Sequence, residues 1–216
     1  MDVLGKLFGS ESKVKMMRLF LFNPETSFSA ETIAERVKCG LFSARHELST
    51  LRQMKFIRPR SFARRAAKNR KGKRQIVRRR ISGFTLNSSF PYLAELQRLL
   101  LDTSLLKGEE IVRKLSAIGR LKLVVISGLF IQDPDSRLYI MVVVDHLKRS
   151  TVEQRMRTME AEIGKELRYA AFDTQEFNYR LGLYDKLVRD VLDYPHAVVL
   201  DRLGLPPLEV GRRPAL

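Results

Sequence analysis

Hydrophobic and polar positions alternate with two different rhythms, and the change falls near the middle of the chain. From Ser10 onward Val14, Met17, Leu19, Phe20 and Leu21 recur at broadly helical spacing until Asn23-Pro24 ends the element. A second short helix is predicted in "SAETIAERVKCG". Ser29 and Thr32 are residues of cap type, Ile33, Ala34 and Val37 form the buried side, and Gly40 is the expected stop. A third follows at once in "LFSARHELSTLRQMKF", where Leu41, Ala44, Leu48, Leu51 and Met54 keep one face apolar. Ser43, Arg45, His46, Ser49, Thr50 and Arg52 occupy the remainder, and Glu47 reads as a solvated residue or as a partner that orients an arginine. Two short helices around a Gly-containing turn, the second with a polar face, predict a helix-turn-helix. Next, "FIRPR" and "QIVRRRISGFTLN" read as the two strands of a hairpin with "RRAAKNRKGKR" at its tip. Ser88-Ser89-Phe90-Pro91 is the expected start of a helix carrying the stripe Tyr92, Leu93, Leu96, Leu99 and Leu100.

Past a boundary between Asp102 and Gly108 the pattern changes. "EEIVRKLSAIG" is helical. "LKLVVISGLF" and "LYIMVVVD" are apolar runs of strand length, separated by the turn-like "QDPDS" that contains Asp133 and Asp135. "STVEQRMRTMEAEIG" predicts a helix capped by Ser150 and Glu153 that buries Val152, Met156, Met159 and Ile163. "LRYAAF" is a third strand. Asp173 and Glu176 cap one long helix, "FNYRLGLYDKLVRDVLDY", and "AVVLD" is a fourth strand. Strands that alternate with helices predict an α/β layer for this half.

Charge sharpens the division. Residues 1–100 hold 22 basic and 7 acidic side chains, whereas residues 101–216 hold 18 and 17. Most of the basic excess sits in one place: Lys55 to Arg80 contains 13 Lys and Arg and no Asp or Glu. So dense a run of like charge needs a counter-charge, and a polyphosphate supplies it. Cys39 is the single cysteine, which removes any intrachain disulfide or Cys-based metal framework and fits a reducing cytoplasm; it reads as a small buried residue. His46, His146 and His196 stand far apart with no ligand spacing, so no metal site is expected. The first residues lack the layout of a secretory signal, and no apolar run approaches the roughly 20 residues of a spanning helix.

The run from helix through "RQMKFIRPR" and the basic hairpin to "GFTLN" resembles the winged-helix domain of bacterial arsenic-repressor-like transcription regulators, over about residues 8–90. The resemblance implies a recognition helix at 41–54 and a basic wing at 60–80 on double-stranded DNA. Ser43, Arg45, His46, Ser49, Thr50 and Arg52 would face the groove, with Arg45 and Arg52 the guanine readers. Arg64, Arg65, Lys68, Arg70, Lys71, Lys73, Arg74 and Arg78 would hold phosphates. Such domains work mostly as dimers, so a homodimer is expected, joined through the Tyr92–Leu101 stripe or the second half.

From Leu121 to Asp201 the order of elements resembles the minimal nucleotidyltransferase fold. Its enzymes place a Gly-Ser turn after the first strand, two Asp one residue apart on the second and a third acid on the next, because two divalent ions must be held by carboxylate oxygens. The matching positions here are Ser127-Gly128, Arg137 and Tyr139, and Arg168, so the resemblance implies a domain without its metal ligands. Two readings of Ser127, Gly128, Arg137, Tyr139 and Arg168 stand side by side. They bind the phosphate of a nucleotide effector without metal, or they are surface replacements left after an active site decayed.

The expected fold class is α+β, a winged helix-turn-helix domain (1–90), a linker helix (91–107), a nucleotidyltransferase-like domain with a mixed sheet (108–205) and a tail (206–216). The expected function is a cytoplasmic DNA-binding transcription regulator, not an enzyme, with no cofactor and no membrane contact. An active nucleotidyltransferase that modifies RNA or protein, and an RNA-binding protein, are the alternatives.

Overall fold

A computed structural model describes residues 3–70, 73–102, 108–131, 133 and 136–205; for residues 64–70, 73–79 and 102 it describes the backbone alone. Among the described residues the chain is mixed α+β, with nine α-helices and two sheets, one of them mixed. It divides into two compact units, Met1–Ser104 with Glu160–Lys165, and Leu105–Met159 with Glu166–Leu216.

The first unit opens with helices α1 (Val3–Leu7), α2 (Glu11–Phe22), α3 (Ala30–Val37) and α4 (Leu41–Gln53). Ser10 caps α2 by accepting from the Lys13 N–H, and Ser29 caps α3 by accepting from the Thr32 N–H. Met16 is buried beside the expected Val14, Met17, Leu19, Phe20 and Leu21, and so is Arg18. The Arg18 guanidinium is satisfied by carbonyls within this unit, Nε donating to Leu100 O at 3.3 Å and Nη1 to Glu162 O at 3.1 Å. The stop of α3 is not Gly40 but Lys38, which takes the left-handed conformation at φ 54° and donates its N–H back to the helix. Gly40 instead precedes α4 in extended backbone.

The hairpin is longer than its sequence pattern suggests. Strands β1 (Ile57–Arg70) and β2 (Lys73–Leu86) pair antiparallel from Ile57↔Leu86 to Arg70↔Lys73, so most of the expected tip lies in the ladder. Its base is anchored in the core. Phe56, Ile57, Thr85 and Leu86 are buried, and Phe28 exchanges both backbone hydrogen bonds with Phe84, at 3.0 and 2.9 Å. The following helix α5 (Leu93–Gln97) begins two residues after Pro91, and a π-helical turn continues it through Arg98–Asp102. On the expected stripe Leu100 is fully buried, Leu93 and Leu96 are half-buried, and Tyr92 and Leu99 are exposed.

In the second unit α6 (Gly108–Leu115) leads to a four-stranded sheet of β3 (Arg120–Ser127), β4 (Ile140–Asp145), β5 (Tyr169–Phe172) and β6 (His196–Asp201), in the order β5-β4-β3-β6. β3 is antiparallel to β4 and β6, and β4 is parallel to β5. Parallel pairing requires a long crossover, and α7 (Arg149–Ile163) provides it. Val152, Met156, Met159 and Ile163 are buried as expected. Ser150 is not the cap, because α7 already begins at Arg149. The long helix expected after Asp173 is two helices, α8 (Thr174–Gly182) and α9 (Lys186–Leu192). Tyr184 at φ 53° breaks the path, and the Asp185 carboxylate caps α9 by accepting from Leu187 and Val188 N–H.

Candidate nucleic-acid interface

The outward face of α4 is set by what the inward face needs. Ala44, Leu48 and Leu51 are buried, and these positions share one side of a 3.6-residue turn. Leu41 and Met54, expected on that side, are 36% and 47% exposed: each lies at an end of the helix, where the core it would pack on runs out. Glu47 joins the buried residues of this helix. It is buried, not solvated, and its partner is the Lys13 ammonium at 3.5 Å rather than an arginine. With the helix's own carboxylate turned inward, Ser43, Arg45, His46, Ser49 and Arg52 are exposed together. Thr50 is half-buried and its hydroxyl donates to the His46 carbonyl at 3.3 Å.

Arg45 meets Glu31 of α3, Nη2 to Oε1 at 3.4 Å, with both side chains mostly exposed. The Glu31 carboxyl lies below the usual carboxylate range, held first by its own backbone N–H, then by the Ser29 hydroxyl and by Arg45. An exposed pair of this kind contributes little to stability and opens readily to a phosphate. Phe42, which the sequence reading did not single out, is 90% exposed in the first turn of α4. The signal was there: an aromatic on the side of the helix opposite Ala44, Leu48 and Leu51.

Along the ribbon the register sets Arg64 across from Arg79, Arg65 across from Arg78 and Arg70 across from Lys73. Like charges in register are unfavourable in a two-stranded ladder, so this one calls for anions around it. Lys68 and Arg74 pair with Gln75 and Asn69. Lys71 lies outside the described residues, as do the side chains of Arg64, Arg65, Lys68, Arg70, Lys73, Arg74 and Arg78.

In the second unit Ser127, Gly128, Tyr139 and Arg168 come together, and Arg137 does not join them. Arg137 and Tyr139 stand ahead of β4, not on it. Ser127 N–H donates to Tyr139 O at 3.0 Å, and Tyr139 N–H donates to Arg168 O at 2.7 Å. The Arg168 guanidinium lies 4.4 Å above the Tyr139 ring and donates to Ser136 O at 2.6 Å; the Ser127 hydroxyl donates to Leu138 O at 2.5 Å. Gly128 has φ +59°, and a Cβ there would stand 2.5 Å from Tyr139 Cδ1, so the ring fills the space over the turn. Arg137 pairs with Asp190 at 2.7 Å beside a cleft of about 150 Å³ lined by Asp133, Ser136 and Tyr194. That volume is well under the several hundred Å³ of a pocket that encloses a nucleotide-sized ligand. The expected donors are thus engaged with the protein itself. Asp133 accepts from the Ser136 hydroxyl at 3.4 Å on the turn after β3, while Asp135 lies outside the described residues.

Among the described residues no three His, Cys, Asp or Glu side chains are grouped to hold a metal ion, and no helix is long and apolar enough to cross a membrane. Compared with known proteins, the chain matches no family model, no curated protein and no solved structure.

Proposed function

We propose that this chain is a DNA-binding transcription regulator whose residues 1–90 act as a winged helix-turn-helix domain. In this reading α4 enters the major groove and the β1–β2 ribbon lies against the phosphate backbone. The carrying observation is the outward face of α4: Ser43, Arg45, His46, Ser49 and Arg52 are exposed while Glu47 is buried against Lys13. A helix that turns its acid inward and its cations outward, next to a ribbon with like charges in register, fits a polyanion with a groove of helix width. The step from DNA binding to regulation rests on the resemblance to arsenic-repressor-like regulators.

For residues 108–205 we read a nucleotidyltransferase-like domain that has lost catalysis. The mixed sheet and the turn after β3 support the first part. The second is supported by Tyr139 and Arg168 at positions where the enzymes carry carboxylates, packed against each other. The closed contacts of Ser127, Tyr139, Arg168 and Arg137 favour decay over an effector pocket.

The test is duplex binding across a salt series. Neutralising Arg64, Arg65, Lys68, Arg70, Lys71, Lys73 and Arg74 should weaken binding to every sequence. It should flatten the log-log salt slope by up to about six, near 0.9 per phosphate contact. Arg45→Ala or Arg52→Ala should instead cost about 1–3 kcal/mol at particular base pairs of a selected site. An unchanged slope after the sevenfold neutralisation contradicts the wing. Preference for single-stranded RNA at matched salt would favour the RNA-binding alternative, and protein-dependent nucleotide transfer with magnesium would favour the enzyme.

A further inference from the structure

Phe42 has no structural task that the fold explains. It sits in the first turn of α4 at 90% exposure, while the apolar side of that helix is complete with Ala44, Leu48 and Leu51. Its neighbours on the outward face are Ser43, Arg45, His46 and Ser49, all exposed and none acidic. An apolar ring set among the Arg45–Glu31 pair, His46 and two hydroxyls does not suit an apolar protein partner, whose docking would desolvate these polar groups without offering them new partners. It suits a surface that is anionic around its edge and apolar at one point within. The floor of the DNA major groove has that character: phosphates line the rims, and the thymine C5-methyl is the apolar group exposed among the base edges. The first residues of a helix docked in that groove are the ones that reach base edges.

We propose that Phe42 is a specificity-determining residue that packs on a thymine C5-methyl. This rests on the reading of α4 as the helix that enters the groove. It adds something the polar residues cannot supply, because hydrogen-bonding side chains read the O4 and N6 edges but gain nothing from the methyl. The contact is van der Waals and desolvation only, with no bond made or broken. It gives the preferred site a required T at one or two fixed positions.

The 216-residue chain is first used to select duplexes from a random pool, and each thymine in the selected site is then replaced singly by deoxyuridine. That exchange removes the methyl and keeps every hydrogen-bonding group. For the unaltered protein, deoxyuridine at one or two positions should weaken binding by about fourfold each, the worth of one buried methyl. Phe42→Ala should bind the thymine duplex more weakly and be indifferent to deoxyuridine at those positions, whereas Phe42→Leu should keep part of the discrimination. Because Phe42 is so exposed, both variants should melt as the parent does, and a melting curve confirms that they are folded. Equal affinity for thymine and deoxyuridine duplexes at every position overturns the proposal and leaves the DNA-binding reading standing, as does an equal deoxyuridine penalty in Phe42→Ala. Failure to bind any duplex overturns both.

Discussion

Gly128 shows how one residue can carry both a conformational and a packing requirement. Its φ of +59° is costly for a residue with a side chain, and a Cβ would meet Tyr139 Cδ1 and Cε1 at 2.5 and 2.8 Å. Gly128→Ala should therefore destabilise the second unit by roughly 1–3 kcal/mol, read from the midpoint of urea denaturation followed by tyrosine fluorescence. A midpoint unchanged by the substitution would mean that the ring over the turn is free to move aside. The glycine was visible in the sequence as part of a turn, but its neighbour was not. A tyrosine 11 positions later looked like one member of a set open to a ligand, and only the backbone pairing of Ser127 with Tyr139 brings the ring onto the turn. Glu47 escaped for a related reason. A carboxylate on a helix is usually solvated, and nothing in the local pattern announces that Lys13, on a different helix, will be within 3.5 Å of it.

Helices and strands were legible where the period ran long enough to be unambiguous. α2, α7 and the four strands of the mixed sheet lie where the apolar spacing put them, because burial on one face is the same requirement that produces the pattern. Terminations were harder. Lys38 and Tyr184 end or break helices in the left-handed conformation without being glycine, and side-chain type gives little warning of that. The ribbon was underestimated because a run of Arg, Lys and Ala resembles a loop. Its length comes instead from an anchored base, where Phe28 adds a backbone pair to Phe84. Gly83 makes that approach feasible, since a Cβ there would collide with the Phe28 carbonyl and the Phe62 ring. Gly83→Ala should cost about 2 kcal/mol or more of stability in the first unit, as overpacking against backbone usually does. If the midpoint by far-UV circular dichroism does not fall, the Phe28–Phe84 pairing is not what holds the ribbon.

Taken together, the charge distribution makes the two units respond differently to their surroundings. The chain carries +16, and nearly all of that surplus belongs to residues 1–100. Self-repulsion of like charge opposes the compact state and is screened by salt, with a Debye length that falls from about 30 Å at 0.01 M to 10 Å at 0.1 M. Unfolding of the first unit should thus shift to higher temperature as salt is raised over that range. Duplex DNA at low salt should do the same by binding the folded form more tightly than the unfolded one. The second unit, with 18 basic and 17 acidic residues in its half of the chain, has no such repulsion to relieve. The tyrosines separate the two. Tyr139, Tyr169, Tyr179, Tyr184 and Tyr194 all lie in the second half of the chain, and Tyr92 alone lies in the first, so tyrosine fluorescence follows mainly the second unit while far-UV circular dichroism follows both. The expected outcome is a far-UV transition that moves with salt and DNA and a tyrosine-detected transition that stays in place. Should both move together, the units unfold as one and the repulsion is shared. Should neither move, the basic ribbon already has its counter-charge within the protein, and the physical argument for a polyanionic partner fails.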